Sequence, residues 1–208
     1  MADPPTLGVV LAGGRASRMN GADKTRIRVG GTSLLERVLA RLRPQCSRLI
    51  LSADGDAARF ADTGLTAVAD SVPDHAGPLA GILAGLDWTA DHAPEIAWVV
   101  SVPCDCPFLP RDLVTRLHAA RSEAGAPLAC ALSGQRRHPV IALWPVTLRE
   151  DLRSALTNEG VRKVDYWTAR HAVATADWPV GPVDPFFNVN TPAEAAEADR
   201  MAALHPEI

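Results

Sequence analysis

Five cations crowd the stretch that follows a glycine pair. After an apolar run ending at Leu11 the chain reads Ala12-Gly13-Gly14, then Arg15, Arg18, Lys24, Arg26 and Arg28, with Asp23 the one acid among them. Glycines let a backbone turn sharply and bring its N–H groups against phosphate oxygens. Arg adds a fork of donors to the same anion, and Lys a mobile point charge. Taken alone, a glycine pair after a strand is equally a plain strand-to-loop turn. Arg18 and Lys24 shift the balance, because several phosphate charges would offset their mutual repulsion. Arg26 and Arg28 alternate with Ile27 and Val29 and read as the solvated face of a short strand. The spacing is neither that of a P-loop, since Lys24 follows no glycine, nor Gly-x-Gly-x-x-Gly.

Further along, Asp105 follows the apolar run Ile96 to Val102. A carboxylate at a strand's carboxyl end can hold Mg²⁺ against the phosphates of a nucleoside triphosphate. A helix cap is the competing role, but Asp112 or the Pro110 start serves the next helix better. Asn188 and Asn190 alternate in "FFNVNTP", where amide oxygens could ligate Mg²⁺ and amide nitrogens could donate to phosphate; turn formation is the alternative. His138, just before Pro139, could meet an anionic second substrate or be a surface histidine at a strand end. Cys46, Cys104, Cys106 and Cys130 read as thiols, since no second cysteine pair or histidine cluster completes a zinc site with Cys104 and Cys106.

These residues need a frame. Leu7 to Leu11, Arg48 to Ser52, Thr66 to Ala69 and Ile96 to Val102 are short apolar runs of the kind that form buried parallel strands. Between them, Leu34, Leu35, Val38, Leu39 and Leu42 share a helical face, as do Leu79, Ile82, Leu83 and Leu86, and Leu113, Val114 and Leu117. The alternation predicts an α/β fold with a mostly parallel sheet between helices. After Arg121 the rhythm changes. Leu128 to Leu132 and Val140 to Trp144, joined by a turn, predict a small antiparallel excursion of the kind that roofs a site, before helices near Leu148 to Leu156 and Val161 to Thr168. Asp177 to Pro185, with its three prolines, is expected to be loop. Thr191, Pro192 and Glu194 announce the last helix.

Composition narrows the function classes. A formal charge of −3 and a pI near 6.1 leave no global field for nucleic acid or an anionic membrane, so any anion site is local. No run of 18 apolar residues and no export signal is present, and a cytoplasmic location is expected. We expect one domain over residues 1–208, with a nucleotide-binding half (1–121) and an acceptor-binding half (122–208).

The segment "LAGGRASRMNGADK" resembles the Leu-Ala-Gly-Gly-x3-Arg-Met-Gly-x2-Asp-Lys signature of nucleotidyltransferases, and most closely that of the molybdenum cofactor guanylyltransferases. "DSVPDHAGPLAGILAGL", "VPCDCPFLP", "RHPVIALWP" and "FFNVNTPAE" match the same family in order, spanning nearly the whole chain. The resemblance implies a three-layer Rossmann-like nucleotidyltransferase fold and transfer of GMP from GTP to the terminal phosphate of molybdopterin, with Mg²⁺ as cofactor. It further implies Asp105 and Asn190 as metal ligands, Arg18 and Lys24 with Asp105 as catalytic, and Leu11, Ala12, Gly13, Gly14, Asp54 and Asp70 as nucleotide contacts. His138 and Asn188 remain acceptor-side candidates, and molybdenum-insertion proteins and molybdoenzyme chaperones are the implied protein partners.

Two departures stand out. Asp54 occupies the base-selecting position where guanylyltransferases usually carry Asn, and Asn20 replaces the usual Gly after Met19. A carboxylate can still accept from guanine N1–H and N2–H₂ but loses the amide's donor. Rival readings are cytidylyl transfer to the same pterin, nucleotide transfer to a sugar phosphate, and a guanine-nucleotide-binding adaptor without chemistry. Relatives using CTP more often read Leu-Ala-Ala-Gly, so Gly13 favours GTP, and an adaptor needs no metal ligand beside the phosphates.

Overall fold

The computed structural model describes residues 3–13, 23–53, 57–72 and 77–207. Its centre is a seven-stranded sheet with the order β5-β4-β1-β6-β8-β7-β9. The strands are β1 (Thr6–Leu11), β4 (Arg48–Ser52), β5 (Thr66–Val68), β6 (Trp98–Pro103), β7 (Leu128–Ser133), β8 (Arg136–Pro145) and β9 (Val173–Trp178). A separate two-stranded ribbon joins β2 (Arg28–Val29) to β3 (Thr32–Ser33). All neighbours in the main sheet run parallel except β8, which is antiparallel to both β6 and β7. The hairpin after Arg121 is therefore laid into the sheet itself, and its strand β8 splices the two parallel groups together.

Helices cover both faces, as the alternating strand and helix patterns require. One layer holds α1 (Leu34–Leu42) and α3 (Leu113–Ala124), whose buried leucines and valines join Val10, Leu51, Val100 and Leu143. The other holds α2 (Pro78–His92), α4 (Arg149–Thr157) and α5 (Val164–Thr168), packed on Leu7, Val9, Ile50, Val99 and Trp144. A third cluster gathers Val29, Leu34, Phe108 and Val189 against α6 (Pro192–Leu204). Trp144 is fully buried, while Trp88 and Trp98 only rest against the core.

Helix α2 sits unusually close to the sheet. A β-carbon on Gly81 would come within 2.5 Å of Ser52 Oγ and 2.8 Å of Leu11, and one on Gly85 within 3.1 Å of Val9. Two glycines one turn apart thus seat the helix almost at backbone distance on β1 and β4, with its first residue at the sheet's carboxyl edge.

One expectation fails at Asp177 and Trp178. They end β9, and the loop starts only after them. The prolines that argue for a loop all lie beyond Trp178, whereas Ala174, Ala176 and Trp178 alternate inward from β9. That period-2 signal was diluted by the small alanines.

At the opposite end of the sheet, His118 is buried against Trp98 and Arg121. Thr6 Oγ1 donates to Pro4 O at 2.9 Å, so the 2.8 Å contact with His118 is Nε2–H donating to Oγ1, and Nδ1 is buried without a partner among the described residues. Burial, aided by Arg121, pushes the His118 pKa down to about 4. The unfolded chain then binds a proton that the native state refuses, so stability is full above about pH 6.5 and falls as the pH drops toward 4. His118 alone should remove about 2 kcal/mol of stability between pH 7 and pH 5. Urea unfolding at the two pH values tests this: His118→Gln, which keeps a donor for Thr6 but cannot titrate, should flatten that part of the profile.

Candidate active site

The sheet reverses direction of growth at β1: the chain first lays β4 and β5 on one side, then β6 on the other. In an open α/β sheet the crevice at such a point, outside the carboxyl ends of the strands, is where ligands bind. Here the crevice is closed by backbone bonds. Ala12 N–H donates to Ser52 O at 2.8 Å and Cys104 N–H to Leu11 O at 3.1 Å. Ala12 and Gly13 therefore emerge from β1 fixed between the ends of β4 and β6.

Asp105 lies two residues beyond β6, and its backbone carbonyl accepts from Val189 N–H at 2.9 Å. That bond ties the end of β6 to the segment before α6. Val189 is fully buried, so its neighbours Asn188 and Asn190 are turned the other way, Asn188 exposed and Asn190 half-buried. Asn190 is fixed by the helix that follows: its N–H donates to Glu194 Oε2 at 2.7 Å, while Thr191 caps the Glu194 N–H in return.

Lys24 arrives from a third direction. A 3-10 turn over Lys24–Arg26 is capped by Asp23, whose Oδ1 accepts from Thr25 N–H at 3.0 Å and from Thr25 Oγ1 at 2.6 Å; Thr25 is buried beneath it. From this anchor the Lys24 ammonium donates to Asp105 Oδ2 at 2.8 Å and to Asn190 Oδ1 at 2.6 Å. Three residues from the start, middle and end of the chain thus converge on one point. The second carboxylate oxygen, Asp105 Oδ1, is buried with no partner among the described residues.

Other sequence candidates fall around this centre. Ser52 Oγ lies 3.4 Å from Asp70 Oδ1, placing Asp70 beside the end of β4. Gly77, with φ of 147°, turns the chain into Pro78 and α2, whose N-terminal dipole end is oriented as anion sites require. His138 is half-buried on β8 and contacts Ser133, not the Lys24 centre. Gly14, Arg18 and Asp54 lie outside the described residues, as do Arg15 and Asn20. Arg26 departs from its reading as a solvated cation: exposed though it is, it forms a two-pronged pair with Asp62, at 2.5 and 2.9 Å, and donates to the Arg59 carbonyl. Arg59 in turn donates to Ala12 O at 3.2 Å. Nothing in the sequence marked Arg59 or Asp62, which sit in an unpatterned surface turn.

All four cysteines, Cys46, Cys104, Cys106 and Cys130, are free thiols. Cys104 and Cys106 are buried, and burial pushes the Cys104 thiol up to about 12 and the Cys106 thiol well above its usual range, so neither is a thiolate at neutral pH. No group of three His, Cys, Asp or Glu side chains forms a cage among the described residues.

The chain is similar to known proteins along nearly its whole length. Residues 8–173 match the family described as the MobA-like NTP transferase domain. A molybdenum cofactor guanylyltransferase from Nitrobacter hamburgensis is 60% identical over 201 residues, covering 97% of this chain and 96% of the relative. Among solved structures, molybdopterin-guanine dinucleotide biosynthesis protein A from Archaeoglobus fulgidus superposes with a TM-score of 0.75 at 22% identity, covering 95% of this chain and 99% of that one. A Mycobacterium tuberculosis protein solved in complex with manganese superposes with a TM-score of 0.67 at 21% identity, covering 94% and 98%. On sequence across nearly its full length and on fold, this chain belongs to the MobA-like NTP transferase family, among the molybdenum cofactor guanylyltransferases.

Proposed function

We propose that the protein transfers GMP from GTP to the terminal phosphate of molybdopterin, releasing pyrophosphate, with Mg²⁺ as the divalent ion. The observation that carries this reading is the Lys24 ammonium held between Asp105 Oδ2 and Asn190 Oδ1 at the switch point of the sheet. Two oxygens already arranged around one cation, with a third buried and without a partner among the described residues, form a hard donor set suited to Mg²⁺. Such an ion takes one or two carboxylates and completes its shell with phosphates and water, so the lack of a three-residue cage among the described residues fits. Bound there, Mg²⁺ would supply charge stabilisation for the transferring phosphate.

The chain's own groups do the rest. The Gly13 turn and Asp70 flank the nucleoside, with Gly14 and Asp54 assigned to the same role. Lys24, freed from Asp105 when a cation takes its place, and Arg18 neutralise the triphosphate. A phosphate oxygen of the acceptor attacks the α-phosphorus, and the bond to the β-phosphate breaks with its electrons leaving on pyrophosphate. A phosphomonoester loses its second proton near pH 6, so catalysis reduces to positioning and electrostatics. Residues 1–121 would carry the nucleotide and 122–208 the acceptor, in a cytoplasmic enzyme exchanging the cofactor with insertion proteins and molybdoenzyme chaperones.

Incubation with Mg²⁺, molybdopterin and each of the four nucleoside triphosphates in turn, with pyrophosphate as readout, tests the reading. GTP should give the guanine dinucleotide, and CTP, UTP and ATP far less. Asp54→Leu should blunt that preference, since a site group that loses its hydrogen-bond partner costs several kcal/mol of discrimination. CTP outcompeting GTP would make the protein a cytidylyltransferase. GTP binding without pyrophosphate release would make it an adaptor.

A further inference from the structure

The acceptor side of the crevice contains a polar relay that the catalytic centre does not use. Strand β8 is antiparallel to β6 and to β7, so β7 ends at the same edge of the sheet as β6, and the first residues of β8 start there. At this edge Ser133 Oγ donates to Asp184 Oδ1 at 2.8 Å, and the same carboxylate oxygen accepts from Phe186 N–H at 3.0 Å. A hydroxyl has one proton, and it is committed to the carboxylate. The 2.9 Å contact between Ser133 Oγ and His138 Nε2 is therefore Nε2–H donating to Oγ. The ring packs on Phe186 with centroids 4.8 Å apart, which leaves its orientation fixed.

The relay adjoins the metal-binding segment. Phe186 O lies 3.8 Å from Cys106 Sγ, and three residues later Val189 N–H binds Asp105 O. What remains of His138 is Nδ1, which bears the lone pair in this tautomer, has no partner among the described residues and is not a buried atom. Arg136, exposed, lies two residues before it on the same face of the strand end. A solvent-reachable ring nitrogen locked in place by a serine and an aspartate, with an arginine beside it on the same strand face, is an arrangement for an anion that can share a proton.

We propose that Ser133, His138 and Asp184 form the subsite for the phosphomonoester of the acceptor, with one proton shared between His138 Nδ1 and a phosphate oxygen. The inference rests on the acceptor reading above. Ser133 and Asp184 act through His138: they set its tautomer, and Asp184 compensates the charge when the ring is protonated. Burial lowers the His138 pKa; Asp184 opposes the shift and Arg136 adds to it. The groups facing the ring are thus Ser133 from β7, Asp184 from the segment after β9 and Arg136 on β8, with the Cys106 thiol beyond Phe186 held protonated by burial.

The free ring is neutral at pH 7 and a free phosphomonoester is a dianion above about pH 6, so the complex takes up a proton on forming. Acceptor affinity must then fall as the pH rises, by up to about tenfold per unit.

Two isosteres separate the ring nitrogens. Gln places an amide where Nε2 lies and keeps the bond to Ser133, whereas Asn places one where Nδ1 lies. At saturating GTP and Mg²⁺, wild-type KM for molybdopterin should climb between pH 6.5 and 8.5. His138→Gln should raise that KM about tenfold at pH 7 and abolish the climb, with KM for GTP and thermal midpoint unchanged. His138→Asn should keep most of the affinity with a flat pH profile. An unchanged molybdopterin KM and slope in His138→Gln overturns the subsite, as does a parallel rise in KM for GTP, which would mark the relay as a brace for Asn190. A wild-type enzyme that binds GTP yet makes no dinucleotide from molybdopterin overturns the acceptor reading itself, whatever the variants do.

Discussion

Asp105→Asn is expected to lower pyrophosphate release by orders of magnitude while the protein stays folded and still binds GTP. The substitution keeps the shape and one oxygen but removes the negative charge that faces Lys24 at 2.8 Å and the buried oxygen that has no partner among the described residues. A divalent ion beside the triphosphate loses its only anionic protein ligand in the described part of the site, and with it much of its hold. Raised Mg²⁺, or Mn²⁺, should restore part of the rate. The fold should tolerate the change because the backbone bond from Val189 to Asp105 O does not involve the side chain. The measurements are turnover against metal concentration and a thermal midpoint. A variant that folds and turns over normally places the metal elsewhere; one that unfolds makes Asp105 a structural residue.

Lys24→Ala should impair turnover more than nucleotide binding, costing about 2–4 kcal/mol in the barrier, by comparison with loss of one preorganised charge stabiliser. This ammonium pairs with Asp105, and the two side chains are 23% and 13% exposed. The variant therefore leaves a largely buried carboxylate uncompensated and should melt lower, recovering when Mg²⁺ and GTP are added together. The recovery separates the residue's two duties: charge balance in the empty site, which the ion can take over, and stabilisation of departing pyrophosphate, which it cannot. Rates at saturating GTP decide the matter, and an unchanged rate would sink the role.

Much of the fold was legible because its signals are local. Leu34, Leu35, Val38, Leu39 and Leu42 share a face with period 3.6, and the helix begins and ends where they do. The Thr191, Pro192 and Glu194 signature placed the start of α6 to the residue. Strand β9 escaped because alanine is a weak marker of a buried face. The order of strands escaped as well: nothing in Arg136 to Pro145 says that β8 slots between β6 and β7, since that is decided by which sheet edge its apolar face can cover.

The site divides along the same line. Lys24, Asp105 and Asn190 were legible as residue types at strand ends and in a recognisable signature, and they do meet. Their direct contact was not, because it depends on tertiary closure across 81 and 166 positions. The Ser133 and Asp184 relay was illegible for a related reason: a serine before a turn and an aspartate among prolines look like ordinary loop residues until His138 is brought between them.

The capping box of α6 has a consequence for motion. The carboxylate of Glu194 that closes the first turn of this helix also holds the backbone N–H of Asn190, the residue that presents an oxygen to the Lys24 ammonium. Helix ends fray on fast timescales, and each opening of this turn releases Asn190 from its tether. The contact between Asn190 and Lys24 therefore lasts only as long as the turn stays shut, and the closed fraction of one helix end sets an upper limit on the fraction of molecules in which it is made. A half-buried carboxylate in the first turn of α6 thus governs how often Asn190 and Lys24 meet.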